Sequence, residues 1–379
     1  MNIPLQARHH PSGRNAGFTG AGLSFIEYIR NTEEMLRQVH AGKPDIEKRV
    51  NGNVPFAWQP MGDYQKGNEK PYRRGVLLTH GLSDSPYHMR YLGDFFRCNG
   101  FYVMAVLLPG HGTQAGDLLD VRWEDWAETV AYGVQCLSEM VDDIYLAGFS
   151  AGAALSLYQA HNDERVRGLF MFSPALQITA RARWSHLHRL YSWLLPRCTW
   201  LNVMPDRDIY KYESFCMNAV TQMWRLTHAL PQGELRIPVF VAASADDATV
   251  IAAATLNFFH RVQHSLRKMQ WYAAVDPQRA DVEWVKSALP EKRILSSAHT
   301  AVVIPPEDAH YGEAGEYANC LHYFARDDDH YSACQASKTV WLGEVTPDNL
   351  KYGILRRLMY NPHYAKMEAS MRSFIERLP

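Results

Sequence analysis

Asp143-Ile144-Tyr145-Leu146-Ala147-Gly148-Phe149-Ser150-Ala151-Gly152 is the stretch that decides how this 379-residue chain reads. An apolar run with strand character ends in Gly-x-Ser-x-Gly. A run of small and apolar residues, Ala153 to Ala160, follows with helix character. Strand, tight turn and helix in that order project a serine hydroxyl clear of its own backbone. The residue at the apex of such a turn is strained, and both flanking positions must be small for strand and helix to pass closely. Gly148 and Gly152 meet that need. The five-residue pattern alone is a weak signal, because a glycine-flanked surface turn satisfies it too. The elements around it and the partners below favour a nucleophile.

Outward from this stretch the chain alternates strands and helices. Gly75–Thr79, Tyr102–Leu108, Ile144–Ala147, Val166–Phe172 and Ile237–Ala243 are continuous apolar runs, as expected of strands buried on both faces. Tyr87–Cys98, stopped by Asn99-Gly100, and Trp123–Met140 read as helices between them. Alternation of this kind predicts an α/β fold with a mostly parallel, doubly wound sheet. Ligands then bind at the carboxyl ends of the strands, where Ser150 and the loops after residues 79, 108 and 243 gather.

Between the fourth and fifth of these strands the pattern breaks. The interval carries Trp184, Leu187, Leu190, Tyr191, Trp193, Leu194, Leu195, Trp200 and Trp224. It is too long for a simple crossover and predicts a helical cap, either a packed subdomain or a lid whose inner face holds an acyl chain. The expected organisation is an N-terminal extension at 1–60, a core at 61–173 and 233–379, and the cap at 174–232. The extension holds a helix over Ser24–Ala41, and Val54–Trp58 reads as a short strand. Late in the chain, Arg267–Ala274 and Arg293–Ser297 read as strands. Glu307–Lys338 reads as a long loop and Tyr364–Arg377 as an amphipathic helix.

Composition narrows the function. With 39 Lys+Arg against 40 Asp+Glu, nothing predicts an electrostatic nucleic-acid partner. Six cysteines without a C-x-x-C pair read as mostly buried free thiols of a reducing compartment, with a Cys320–Cys334 pairing possible but unsupported. Met1–Gly17 is polar and reads as a flexible tail, His9-His10 included, with neither signal peptide nor metal site. A soluble cytoplasmic protein is the expectation. No motif speaks to oligomeric state.

Ser150 needs a base, and the base needs an orienting acid. In a doubly wound hydrolase sheet the chain order is serine, acid, histidine. The fifth strand ends in Ser244-Ala245-Asp246-Asp247, so either aspartate sits just past a buried strand. Asp247 is favoured as the acid, and Asp246 is assigned to solvent or to capping the next helix. For the base, Arg293-Ile294-Leu295-Ser296-Ser297-Ala298-His299 leads a strand into a loop histidine. His310 is the alternative, with His322 and His330 behind it. A tetrahedral oxyanion needs two backbone N–H donors. Ala151, after the serine, and Leu82, in Thr79-His80-Gly81-Leu82, are the candidates. Gly81 permits the close approach and His80 holds the loop.

Taken together and in order, Leu78-Thr79-His80-Gly81-Leu82, Leu108-Pro109-Gly110-His111-Gly112, Trp123-Glu124-Asp125-Trp126, Gly148-Phe149-Ser150-Ala151-Gly152 and the Asp247 and His299 segments resemble an α/β-hydrolase of the monoacylglycerol lipase and bacterial carboxylesterase type. The resemblance runs over roughly residues 70 to 300. It implies an acyl-enzyme mechanism with Ser150, Asp247 and His299 as triad, Leu82 and Ala151 as oxyanion donors, and no cofactor or metal. The chain departs from the pattern at Ser244, where the family usually has Gly, and in a longer interval between Asp247 and His299. The expected substrate is an acyl ester of short or medium chain, or one like a monoacylglycerol or lysophospholipid. Thioesterase, amidase and peptidase activities use the same machinery, and a binding module with a dead site is the non-enzymatic alternative. Arg181, Arg183 and Trp184 offer a transient lipid-interface contact against the plainer reading of a solvated cap face.

Overall fold

The structure, a computed structural model, describes residues 4–62, 64–190 and 194–379. Apart from the first three residues, the chain divides into two compact units: Pro4–Phe170 with Ile178–Gln232, and Met171–Gln177 with Gly233–Pro379.

In the first unit, strands β1 (Phe56–Trp58), β2 (Tyr72–Thr79), β3 (Tyr102–Val106), β4 (Val141–Phe149) and β5 (Val166–Phe172, its last two residues counted with the second unit) lie in the order β1-β3-β2-β4-β5. β2 runs parallel to both β3 and β4, and β1 is antiparallel to β3. The apolar runs put Val76, Leu77 and Leu78 fully out of solvent. Helices α1 (Phe25–Val39), α2 (Ile46–Asn53), α3 (Arg90–Cys98), α4 (Trp123–Ser138) and α5 (Ala151–Asn162) accompany them. Asn99-Gly100 does end α3, with Gly100 at φ +84°, the left-handed conformation that glycine takes without a Cβ penalty. Aromatic edges lock α3 to the strands: Phe96 meets Phe101 at 5.4 Å and Phe170 at 4.8 Å.

The N-terminal segment departs from the tail expected. Ala7–His9 forms a short 3-10 helix and His9 is 1% exposed. Its Nε2 lies 3.3 Å from both Ser214 Oγ and Asp206 Oδ2, and its ring meets Trp200 edge-on. Those partners lie some two hundred residues away, so local composition carried no sign of them. α1 is capped reciprocally by Ser24 and Glu27, and its Tyr28 hydroxyl donates to the Leu107 carbonyl at 2.9 Å.

The interval expected to be a helical cap is only partly helical. It holds 3-10 turns at Ala180–Leu190 and Pro196–Thr199, an antiparallel pair of β6 (Trp200–Asn202) with β7 (Phe215–Cys216), and α6 (Met217–Ala229). Tyr191 and Trp193 lie outside the described residues. Trp200 is buried, whereas Trp184, Leu194, Leu195 and Leu201 are more than half exposed.

In the second unit, β8 (Val239–Ser244), β9 (Arg267–Ala273) and β10 (Glu283–Lys286) are ordered β8-β9-β10 and parallel. The Ser173 N–H, just past the end of β5, donates to the Ala242 carbonyl of β8 at 2.8 Å. A second parallel pair, β11 (Trp341–Gly343) with β12 (Leu355–Arg357), lies apart from β8-β9-β10. Helices α7 (Ala252–Arg261), α8 (Asp328–Ala336) and α9 (Tyr364–Ile375) complete the unit. α9 buries Met367, Met371 and Phe374, the last against Phe240 at 5.8 Å.

Three expectations need correction here. Arg293–Ser297 is not a strand: Arg293 takes φ +56°, and only Ile294 makes isolated bridges, to Leu289 and Leu342. The supposed loop 307–338 ends in α8, whose N-terminus is capped by Asp327 accepting from His330 N at 3.0 Å. Cys320 and Cys334 form a disulfide with Cα atoms 6.1 Å apart. Of the four free cysteines, Cys136 and Cys216 are buried but Cys98 and Cys198 are exposed.

No helix among the described residues is long and apolar enough to cross a membrane. The disulfide closes a loop with a sequence separation of 14. Replacing both cysteines by serine should lower unfolding stability by about 2–4 kcal/mol, read as a smaller denaturant midpoint without reductant.

Candidate active site

The turn that carries Ser150 is built wholly within the first unit. β4 ends at Phe149, α5 begins at Ala151, and Ser150 between them sits at φ 52°, ψ −113°. That conformation is strained for any residue bearing a Cβ and costs roughly 1–3 kcal/mol. It persists because the surroundings over-determine it. A Cβ on Gly152 would overlap the Thr79 and His80 carbonyl oxygens, and one on Gly148 would overlap the Gly152 carbonyl. The Ala153 and Ala154 N–H groups donate to the Ser150 carbonyl at 3.1 and 3.2 Å. The Ala151 N–H belongs to the first turn of α5, where amides lack intrahelical acceptors and the helix dipole favours negative charge.

The loop after β2 is held on several sides. His80 donates from Nδ1 to the Gly81 carbonyl (2.8 Å), and its Nε2 accepts from Leu108 N (3.0 Å). This fixes a neutral tautomer, and burial, helped by the nearby His111 ring, pushes the imidazole well below its usual pKa. His111 lies 5.0 Å from His80 edge-to-face and is itself depressed to about 4 by burial. Asp84 N donates to the Gly81 carbonyl at 3.2 Å, closing the turn that carries Leu82. The Asp84 carboxylate is buried and paired with the Lys211 ammonium, with His88 Nε2 at 3.8 Å. Burial alone would raise that carboxyl; the charges of Lys211 and His88 bring it below its ordinary value. Tyr212 N donates to the Ser83 carbonyl at 2.8 Å, and the Tyr212 hydroxyl donates to the Gly110 carbonyl at 3.0 Å. Asp84, Lys211 and Tyr212 went unnoticed in the sequence. Asp84 and Lys211 stand 127 positions apart, and nothing local links them.

The acid and base candidates belong to the second unit, where two of them meet. His299 Nδ1 donates to Asp247 Oδ2 at 2.6 Å, and both side chains are nearly inaccessible, at 5% and 2% exposure. The other Asp247 oxygen accepts from Thr249 N (2.8 Å) and Val250 N (3.0 Å). Burial raises this carboxyl, but His299 and the two backbone donors outweigh it and hold it below its ordinary value. With Nδ1–H committed to Asp247, Nε2 is the ring's accepting atom.

Asp246 neither faces solvent nor caps α7. It accepts from Ser287 Oγ at 2.5 Å and Ser297 N at 3.2 Å, and burial raises its carboxyl. Ser287 closes the end of β10, a strand that the sequence did not reveal, so this partner could not be anticipated. His310 lies against Tyr311 (4.5 Å) and Tyr317 (5.6 Å), with Glu316 at 3.9 Å. His322 lies against Tyr323 with the rings tilted at 44° and is depressed to about 4 by burial, and His330 pairs with Asp327 at 2.7 Å. No three His, Cys, Asp or Glu among the described residues are grouped to hold a metal ion.

The profile of the family described as serine aminopeptidase, S33 matches residues 70–275, more than half of the chain; it takes in Ser150 and Asp247 and stops short of His299. A thermostable monoacylglycerol lipase from Bacillus sp. (strain H-257) is 33% identical over 108 residues, which is 28% of this chain. The match spans 43% of that relative's length. Among solved structures, the chain is similar to the metagenome-derived lipolytic enzymes LipS and LipT (TM-score 0.47, 21% identity, 58% of this chain and 87% of that one). It is also similar to a monoacylglycerol lipase of Paleococcus ferrophilus (TM-score 0.44, 16% identity, 59% and 92%). With its mostly parallel strands, flanking helices and serine turn, the chain belongs to the serine aminopeptidase S33 family of α/β-hydrolases.

Proposed function

We propose that this protein is a serine carboxylesterase of lipase-like type that cleaves acyl esters through an acyl-enzyme. The observation that carries the reading is the buried Asp247–His299 hydrogen bond, which orients the imidazole and leaves Nε2 as its accepting nitrogen. In the proposed reaction the Ser150 hydroxyl attacks the ester carbonyl and its proton passes to His299 Nε2. Asp247 holds the tautomer and stabilises the imidazolium. The oxyanion is met by the N–H groups of Leu82 and Ala151. The imidazolium then protonates the leaving alcohol, and water, activated by the same base, releases the acid and restores Ser150.

The substrate proposed is a short- or medium-chain ester, or one resembling a monoacylglycerol or lysophospholipid. Exposed Trp184, Leu194, Leu195 and Leu201 support brief contact with a lipid interface. The family's description as an aminopeptidase supports a second reading, cleavage of amide bonds by the same groups. Comparing p-nitrophenyl ester, thioester and anilide rates separates the two: anilide turnover matching the ester would replace the esterase reading. The cytoplasmic location expected from composition stands against the Cys320–Cys334 disulfide, which is characteristic of oxidising compartments.

Two outcomes are expected. Ser150→Ala should lower turnover of p-nitrophenyl esters by about ten-thousandfold or more without loss of fold, and should abolish fluorophosphonate labelling. His299→Ala should behave likewise and His310→Ala should not; the reverse pattern would overturn the choice of base.

A third outcome concerns stability against pH. A carboxyl held below its ordinary value contributes stability that is present above that value, near 3.8 for Asp247, and is lost as pH falls through the folded value. The difference in unfolding free energy between the wild type and Asp247→Asn should therefore be full above about pH 5 and narrow below pH 4 in denaturant titrations.

A further inference from the structure

The base candidate is held from outside the region that the family profile covers. His299 N donates to Glu344 Oε2 at 3.1 Å, and Glu344 is 1% exposed. Arg357 is ion-paired with the same carboxylate: its Nη2 donates to Oε2 at 2.9 Å, and its Nε lies 2.9 Å from Oε1. The guanidinium then reaches Thr249 Oγ1 at 2.7 Å, and the Thr249 N–H is one of the donors to Asp247. One ion pair thus touches the backbone of the base and the loop of its acid.

The pair is rigidly mounted. Glu344 follows β11 and Arg357 ends β12, whose register sets Gly343 opposite Arg357. The lead-in to His299 is stitched to β11: Leu295 N donates to the Leu342 carbonyl (2.8 Å) and Leu342 N to the Arg293 carbonyl (2.9 Å). Ser296 Oγ accepts from Glu344 N (2.9 Å) and Asn349 Nδ2 (3.0 Å). β12 is tied in turn to the disulfide-closed segment, through Arg357 N to the Asn319 carbonyl (3.0 Å) and Arg356 Nη2 to the Cys334 carbonyl (2.5 Å).

We infer that Glu344 and Arg357 are positioning residues for His299, setting the height of its ring and the charge around it. This rests on the reading of His299 as the base. The charged and titratable groups facing the site from the second unit are Asp246, Asp247, Glu344 and Arg357, with His322 and Tyr317 beyond the guanidinium. Counting Asp247, Glu344 and Arg357, the cluster carries a surplus negative charge while the imidazole is neutral, and balances when it is protonated. Glu344 therefore stabilises the imidazolium as well as placing it.

The test uses the full-length chain with Glu344→Gln and Glu344→Asp. His299 is followed by the pH midpoint of kcat/KM and, without any substrate, by NMR titration of nitrogen-15-labelled histidine. Glu344→Gln should lower both midpoints by about one unit and lower kcat about tenfold, with KM within about twofold. Glu344→Asp keeps the charge; it should hold the midpoints at wild-type values while kcat falls a few-fold, and it serves where Glu344→Gln melts early by circular dichroism. Unchanged kcat and midpoints in a folded Glu344→Gln, or unchanged kcat in Glu344→Asp, would overturn the inference. A wild type that neither hydrolyses esters nor labels with fluorophosphonate would instead overturn the esterase reading, whatever the NMR midpoints show.

Discussion

The first turn of α5 lies directly against the backbone at the end of β2. Gly152 leaves no room for a methyl group between itself and the Thr79 and His80 carbonyls, and Gly148 leaves none beside Gly152. This contact sets the separation of helix and strand, and that separation forces the backbone of Ser150 into its strained turn. The same contact brings the loop after β2 beside the amides that open α5. Every later element of the first unit's chemistry inherits this spacing. His80, Asp84, Lys211 and Tyr212 then fix the loop from the other side, with the buried charge of Asp84 fully engaged.

The second unit solves a different problem. Burying a carboxylate is costly unless it is paired and hydrogen-bonded. Asp247 has an imidazole on one oxygen and two backbone amides on the other. Glu344 has a guanidinium and the amides of Val345 and His299. Asp246 has a hydroxyl and an amide, without a cation. Burial accordingly wins at Asp246 and raises its carboxyl, while pairing wins at Asp247 and Glu344. Three neighbouring acids thus carry different charge tendencies for reasons visible in their partners.

Much of this was legible before any coordinates. Continuous apolar runs marked the strands buried on both faces, and all five core strands read from such runs are present, Val166–Phe172 with the bounds read and the other four with shifted ends. Asp247 and His299, chosen for their places after strand-like runs, do meet. What escaped was set by distant partners. His9 is buried because Asp206, Ser214 and Trp200 receive it. Arg293–Ser297 looks like a strand but spends its serines on Glu344 and Asp246 and pairs only through Ile294. The strands β10, β11 and β12 are three or four residues long, too short for alternation to register. The pairing of Cys320 with Cys334 depends on the path of the intervening chain, which spacing does not encode.

The backbone at Ser150 also bears on how this chain could change over generations. Only glycine occupies φ 52°, ψ −113° without steric cost, so replacement of the serine by glycine would release roughly 1–3 kcal/mol of local strain. A descendant that no longer needed the Ser150 hydroxyl would gain thermal resilience by losing it. Among copies of this gene that drift, a glycine at the apex with the rest of the turn intact would be the expected mark of a hydroxyl no longer required.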